Sequence, residues 1–354
     1  MLMNHSLTSD VKPARTGANS ADGLIALYHG EDLSSADAET LFGALVAGAL
    51  GDSEIAAMLL ALRFKGETAD ELIGAARALR AASLAFERPD YLFADSCGTG
   101  GDGSGSINVS TAVAFVAAAC GLPVAKHGNR SFTSRCGSAD VLEELGADLN
   151  LTPIQSRRVL DEAGVCFLFA PLYHPGLKHA GPARRMLKVR TIMNVLGPCL
   201  NPARPPVQLL GVADPDLLEP VAATLASLGV AHALVVHGSG LDEVALHGET
   251  QGVRLRSGTI EPIMVRPEDA GLERAPLSVI AGGSPTENAE RLARLLEGKG
   301  SKGESDLVAL NAGALLMTAE IAASLREAVE LASEAIRSGA AAGRLNAFIE
   351  ATHA

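Results

Sequence analysis

The chain has 354 residues, 47% of them apolar, and 29 Lys and Arg stand against 41 Asp and Glu for a net charge of −12. Such a chain is too apolar and too weakly charged to be disordered, and it is long enough for one large or two ordinary domains. The acidic balance argues against a general nucleic-acid or membrane-surface binder but leaves room for a small anion, which sees a local pocket rather than the whole-chain field.

Residues 1–21 read as a flexible tail without the apolar core of a signal peptide. Residues 22–89 carry only helical spacing. Asp52-Ser53 is expected to cap a helix bearing Ile55, Met58, Leu59 and Leu62, with Gly66 ending it. Thr68 and Glu71 form a capping box for the next helix, whose apolar face is Leu72, Ala75, Ala76 and Leu79.

After Pro89 short β-like runs alternate with helical ones. The expected strands are Tyr91–Asp95, Leu122–Lys126, Cys166–Ala170, Gln208–Val212 and Ala233–His237. One helix begins near Ser110 and another spans Leu217–Leu228. This alternation implies an α/β fold: a small helical N-terminal domain, then a larger domain with a mainly parallel central sheet. The larger domain is assigned 90–186 and 207–354. The Arg- and Pro-rich segment 187–206 breaks the alternation and is expected to pack back onto the helical domain. Lys299–Glu304 (KGSKGE) reads as a surface loop. The longest apolar stretch, Ala112–Ala125, contains Gly121 and Pro123 and is too short to span a membrane. Five cysteines (97, 120, 136, 166 and 199), odd in number and without a CxxC, suggest reduced thiols in a cytosol rather than disulfides or a zinc site.

Four loops carry candidate chemistry. In Gly98-Thr-Gly100-Gly101-Asp102-Gly103-Ser-Gly105-Ser106-Ile-Asn108-Val109-Ser110-Thr111, five glycines within eight residues let backbone N–H groups approach an anion. Ser110 and Thr111 then open a helix, where orphan N–H groups and the helix dipole favour phosphate. Neither the dinucleotide fingerprint nor the P-loop pattern is present, and a plain connecting loop is the alternative. In the second loop, Lys126 to Ser134, basic and hydroxyl groups cluster at a strand's carboxyl end, the place where open α/β sheets bind ligands; the alternative is a solvated basic turn. In the third, the adjacent carboxylates Asp242 and Glu243 repel one another and suit magnesium, or else form a solvated turn. The fourth runs from Tyr173 through His174 and His179 to Arg184 and Arg185. It lacks zinc-hydrolase spacing but offers a guanidinium for a carboxylate.

Taken together, GTGGDG at 98–103, NVST at 108–111, KHGNR at 126–130, GSADVLEELG at 137–146 and RTIMNVLGPCLNP at 190–202 resemble the anthranilate phosphoribosyltransferases of tryptophan biosynthesis. GEDLSSADAETLF at 30–42 and ALRFKGET at 61–68 are similar to that family's helical domain. The resemblance runs from about residue 22 to the end. It implies transfer of a phosphoribosyl group from phosphoribosyl pyrophosphate (PRPP) to the amine of anthranilate with Mg2+, in a cytoplasmic homodimer, with association to an anthranilate synthase subunit a further possibility and no nucleic acid or membrane involved.

Matched by motif, the PRPP contacts would be Gly98, Gly101, Asp102, Ser106, Asn108, Val109, Ser110, Thr111, the run Lys126, His127, Gly128, Asn129, Arg130, Ser131, Phe132, Thr133, Ser134, and Ser138. Lys126, Arg130 and Asp102 would serve catalysis. Gly98, Asn129 and Arg184 would meet anthranilate, with His127 and His174 lining its route. Ser110, Asp242 and Glu243 would hold the metal. Ser106, Ile107, Phe132-Thr133 and Met193 depart from the family's usual residues, the last three in ways expected to reshape the acceptor pocket slightly. Two readings compete: a pyrimidine nucleoside phosphorylase, whose phosphate loop has a different Lys-x-Ser pattern, and a non-enzymatic nucleic-acid-binding relative.

Overall fold

The computed structural model describes residues 19–131 and 136–354. The chain opens with four helices, α1 Ser20–Tyr28, α2 Ser35–Val46, α3 Asp52–Lys65 and α4 Ala69–Ala81. The Thr68 and Glu71 capping box is present, with Glu71 Nα–H donating to the Thr68 hydroxyl at 3.3 Å and Thr68 N–H to the Glu71 carboxylate at 2.9 Å. Asp52 is the first helical residue of α3 rather than its cap. Gly51 takes that place, and its N–H donates to the Glu54 carboxylate at 2.8 Å.

The α/β part follows as β1 Ala94–Gly98, α5 Val109–Ala119, β2 Val124–Gly128, α6 Ser138–Glu144, α7 Pro153–Ala163, β3 Val165–Phe169, α8 Ala170–Tyr173, α9 Gly181–Leu187 and α10 Ile192–Leu196. It continues through β4 Val207–Gly211, α11 Leu218–Ser227, β5 His232–His237, β6 Thr250–Arg256 and β7 Thr259–Val265. Four helices close the chain: α12 Pro285–Leu296, α13 Lys302–Thr318, α14 Leu325–Arg337 and α15 Ala340–Thr352. The sheet order is β3-β2-β1-β4-β5-β6-β7, with β1 to β5 parallel and the last two strands antiparallel.

The expected α/β class and mainly parallel sheet are present, with three differences. The first strand lies three residues later than expected, at Ala94–Gly98, because pairing sets its limits: Ala94 faces both Val124 and Val207. The β6–β7 hairpin was not expected. Its signal is there in the alternating burial of β6 and in Ser257-Gly258, whose positive φ values of 48° and 86° suit a two-residue hairpin turn. Of the stretch expected as a loop at 299–304, residues 299–301 do connect α12 to α13, but Lys302–Glu304 already belong to α13, where Ser301 caps and Glu304 completes a capping box.

Helices cover both faces of the sheet. One core gathers α5, α7 and the last three helices around Phe115 and Phe348. The other joins Leu41, Leu59 and Leu72 of the N-terminal helices to Ile192 and Leu196 of α10 and to Leu210 and Val235 of the sheet. The 180–200 segment therefore packs with the N-terminal helices. Strands leave β1 in opposite directions, toward β2 on one side and β4 on the other, so the carboxyl ends of β1 and β4 flank a topological switch point. Among the described residues no helix is long and apolar enough to cross a membrane.

Candidate active site

The Gly-rich loop leaves β1 at this switch point. Thr99 N–H donates to Gly211 O of β4 at 2.9 Å, and Arg190 ties the loop from above, donating to Gly101 O at 2.9 Å and to Gly100 O. Gly98 is required by close approach, since a Cβ there would fall 2.2 Å from the Asp242 carboxylate. Gly101 combines φ +75° with contact to Arg190, so a side chain there would be strained and would clash. The far half of the loop is pinned by Ile107 N–H to Ile280 O at 2.9 Å and Gly282 N–H to Gly105 O at 2.6 Å. Asn108 then begins α5 without a side-chain cap. The first N–H groups of the helix are thus left for another acceptor. Ser110 N–H meets the Glu243 carboxylate.

The loop after β2 supplies the cation. Lys126 is buried, and its Nζ donates to Ser96 O at 2.6 Å and to Ser110 Oγ at 3.0 Å, binding the two loops together. The Arg130 guanidinium pairs with Glu143 and lies 4.6 Å from the centre of the Phe169 ring while Arg130 still borders the cavity, and Lys126 is set between the two loops. Ser138 Oγ donates to Asn129 O at 3.3 Å, which closes this loop onto α6. Phe132, Thr133 and Ser134 lie outside the described residues.

Three carboxylates face these loops. Gly100 N–H donates to Asp242 Oδ2 at 2.7 Å, but burial and then the neighbouring Asp102 push the Asp242 pKa up to about 7. Glu243 is pushed well above the carboxylate range, first by burial and then by Asp242, with Lys126 pulling the other way. Asp102 Oδ2 is buried without a hydrogen-bond partner among the described residues. Among the described residues, protein groups alone do not close into a metal cage. Hard-oxygen donors that repel one another, one of them orphaned, are nevertheless a fit for Mg2+ that also takes ligands from substrate oxygens.

The cavity enclosed by these elements measures ≈ 370 Å3, and every described residue assigned above to PRPP borders it. Arg184 reaches it from α9, sheltered enough that loss of water lowers its pKa. Its neighbours Met193 and Asn194 at α10 border it too. His174 is placed differently from expectation. It backs the His127 ring edge-on at 5.1 Å and does not border the cavity. Burial keeps both rings neutral, holding His127 well below the usual imidazole value and His174 down to about 4. His127 Nε2 is buried and unpartnered among the described residues.

Sequence reasoning missed Arg190, Gly283 and Asn288. Arg190 stands in the quoted motif at 190–202, which by itself gives it no partner. Asn288 lies 180 residues beyond Asn108, the residue it touches, so local pattern could not have linked them.

Two anion-ready loops at a switch point, faced by a carboxylate cluster and closed by a helical unit, define a transferase that handles a phosphorylated sugar. Residues 22–83 match the helical bundle domain of the glycosyl transferase family, and residues 90–342 match its a/b domain. The chain belongs to the anthranilate phosphoribosyltransferase family. It is 57% identical over 324 residues to the anthranilate phosphoribosyltransferase of Sorangium cellulosum, covering 92% of this chain and 93% of that one. To the Yersinia pseudotuberculosis serotype O:3 enzyme it is 52% identical, covering 91% and 97%. Among solved structures, the Thermus thermophilus anthranilate phosphoribosyltransferase superposes with a TM-score of 0.89 at 43% identity, covering 94% of this chain and 100% of that one. The Saccharomyces cerevisiae enzyme in complex with PRPP and Mg gives 0.86 at 28% identity, covering 94% and 98%.

Proposed function

We propose that the protein transfers the phosphoribosyl group of PRPP to the amine of anthranilate, releasing pyrophosphate, in tryptophan biosynthesis. The observation that carries this reading is the joining of Lys126, the start of α5 and the Asp102, Asp242 and Glu243 carboxylates around one cavity, with Arg184 on its helical side. Neither a nucleoside phosphorylase nor a nucleic-acid-binding protein is favoured by any feature of the site.

The Gly-rich loop and the first turn of α5 would receive the phosphate oxygens through backbone N–H groups. Lys126 would oppose the charge that develops on departing pyrophosphate as the ribosyl carbon gains oxocarbenium character. Asp242 and Glu243, with Asp102 and the Ser110 hydroxyl nearby, would hold Mg2+, which when bound supplies charge neutralisation for the pyrophosphate. Arg184 would anchor the anthranilate carboxylate, and Asn129 and Gly98 would place the ring. Anthranilate's amine is already neutral near pH 7, so it needs orientation rather than a strong base. The two neutral histidines suit that demand.

None of the five cysteines is in a disulfide among the described residues, which supports a reducing compartment such as the cytoplasm. Exposed Ile25, Tyr28 and Phe64 on α1 and α3 support a homodimer formed through the helical unit; an anthranilate synthase subunit is the other occupant that such a surface would suit. Sedimentation of the purified chain separates a dimer from a monomer. The function is tested by following anthranilate fluorescence with PRPP and Mg2+. Loss of fluorescence that requires all three components is expected, whereas thymidine phosphorolysis without it would overturn the reading.

A further inference from the structure

The two phosphate loops are joined by a partly buried chain of amides in which only Asn108 has a site assignment. Asn288, in the first turn of α12, is 2% exposed. Its Oδ1 accepts from Gly283 N–H at 2.8 Å, and its Nδ2 donates to Asn108 Oδ1 at 3.0 Å. Asn108 Nδ2 in turn donates to Cys136 O at 3.4 Å, and the Cys136 thiol donates to Asn108 Oδ1 at 3.6 Å.

The direction of this chain is fixed by its ends. A backbone N–H at Gly283 can only donate, and a backbone carbonyl at Cys136 can only accept. Asn288 must therefore turn its oxygen to Gly283 and its nitrogen to Asn108. Asn108 must turn its nitrogen to Cys136. Each link belongs to a different wall of the cavity: Asn108 to the end of the Gly-rich loop, Cys136 to the end of the loop after β2, and Gly283 to the segment that pins Gly105 and Ile107.

We infer that Asn288 is a positioning residue for PRPP, acting through Asn108 to hold the Gly-rich loop and the Lys126 loop at the spacing that the pyrophosphate and ribose phosphate require. This rests on the proposed transferase reading. Asn288 lies at the cavity's edge, and its amide is already occupied by protein at both ends, so its contribution is to loop placement rather than to the transferred group.

The decisive variant is Asn288→Asp, which keeps the shape and the acceptor for Gly283 but removes the donor to Asn108 and sets two acceptors against each other. The PRPP KM is expected to rise about tenfold, the size of one buried hydrogen bond left unmade, while the anthranilate KM at saturating PRPP stays within about twofold. Combining Asn288→Ala with Asn108→Ala should raise the PRPP KM by less than the product of the two single effects, because Asn288, Asn108 and Cys136 share one network. Thr286→Ala removes a different tie of the same helix, the 2.8 Å bond to Glu144, and should leave the PRPP KM unchanged. Calorimetric binding of pyrophosphate with Mg2+ should weaken by the same factor in Asn288→Asp. That arm tests the loop inference even if the wild-type protein fails to consume anthranilate, an outcome that would sink the acceptor assignment instead. A lower melting temperature for Asn288→Asp with unchanged PRPP KM and pyrophosphate affinity would overturn the inference, as would equal rises in both KM values.

Discussion

Asp95, within β1, and Asp242, in the segment after β5, are both raised in pKa by burial, yet their surroundings treat them in opposite ways. Asp95 is fully enclosed, and everything around it favours its charge. Asn201 donates to it at 2.8 Å, His127 N–H approaches at 3.4 Å, and Lys126 stands nearby. Asn201 is itself saturated, donating also to Ala125 O at 2.7 Å and accepting from Ala203 N–H at 2.9 Å. Asp242 is held by backbone N–H groups but stands beside Asp102, whose charge raises it further, and Asp242 in turn raises Glu243. Buried polar groups in folded proteins are normally satisfied. The satisfied region belongs to the scaffold, and the carboxylate cluster is the region whose mutual repulsion a bound cation would relieve.

That contrast is broken first by neutralising the frustrated side. Asp242→Asn with Glu243→Gln should reduce Mg2+-dependent turnover by about a hundredfold or more, since a bound metal contributes several kcal/mol to such chemistry. Arg184→Ala should raise the anthranilate KM by about tenfold to a hundredfold, the worth of hydrogen bonds to a charged group, with a much smaller change in the PRPP KM; steady-state kinetics in both substrates reads this, and equal changes would refute the carboxylate-anchor role. On the satisfied side, Asn201→Ala should cost about 1–3 kcal/mol of stability by stranding Asp95 and leave both KM values nearly alone, as urea unfolding beside kinetics will show. The smallest effect concerns pH. His127 and His174 are held neutral in the fold, His174 down to about 4, whereas an unfolded imidazole takes its proton near pH 6.5. The unfolded state therefore binds more protons below that pH, and stability falls as pH drops from about 6.5 toward 4. Melting of His174→Gln between pH 7 and 5 should show a flatter slope than the wild type, and an identical slope would remove His174 as a contributor.

The same contrast explains what was legible in the sequence. Gly98, Gly101, Lys126 and Asp242 lie in compact motifs whose chemistry is local: glycines for close approach, a cation and a carboxylate pair at strand ends. The helical unit was equally readable, because Thr68, Glu71 and the 3.6-residue spacing are local signals. Arg190, Asn201 and Asn288 were not, because each does its work on a partner about 90 to 180 residues away. Ser257-Gly258 and Ser301–Glu304 carry turn and cap signals, but short polar stretches of this kind read equally well as surface loops. The position of Arg130 depended on Glu143, a neighbour on α6 whose facing direction no motif records.

The central claim is that the carboxylate cluster was built for a bound metal and substrate at the expense of the empty fold. It is tested most directly by melting the metal-free protein beside its Asp242→Asn, Glu243→Gln variant and assaying both with Mg2+. The account predicts that the variant melts at a higher temperature, because crowded buried carboxyls that disfavour one another's charge are replaced by neutral amides, while its metal-dependent turnover collapses. A variant that melts lower and keeps wild-type metal dependence would contradict it.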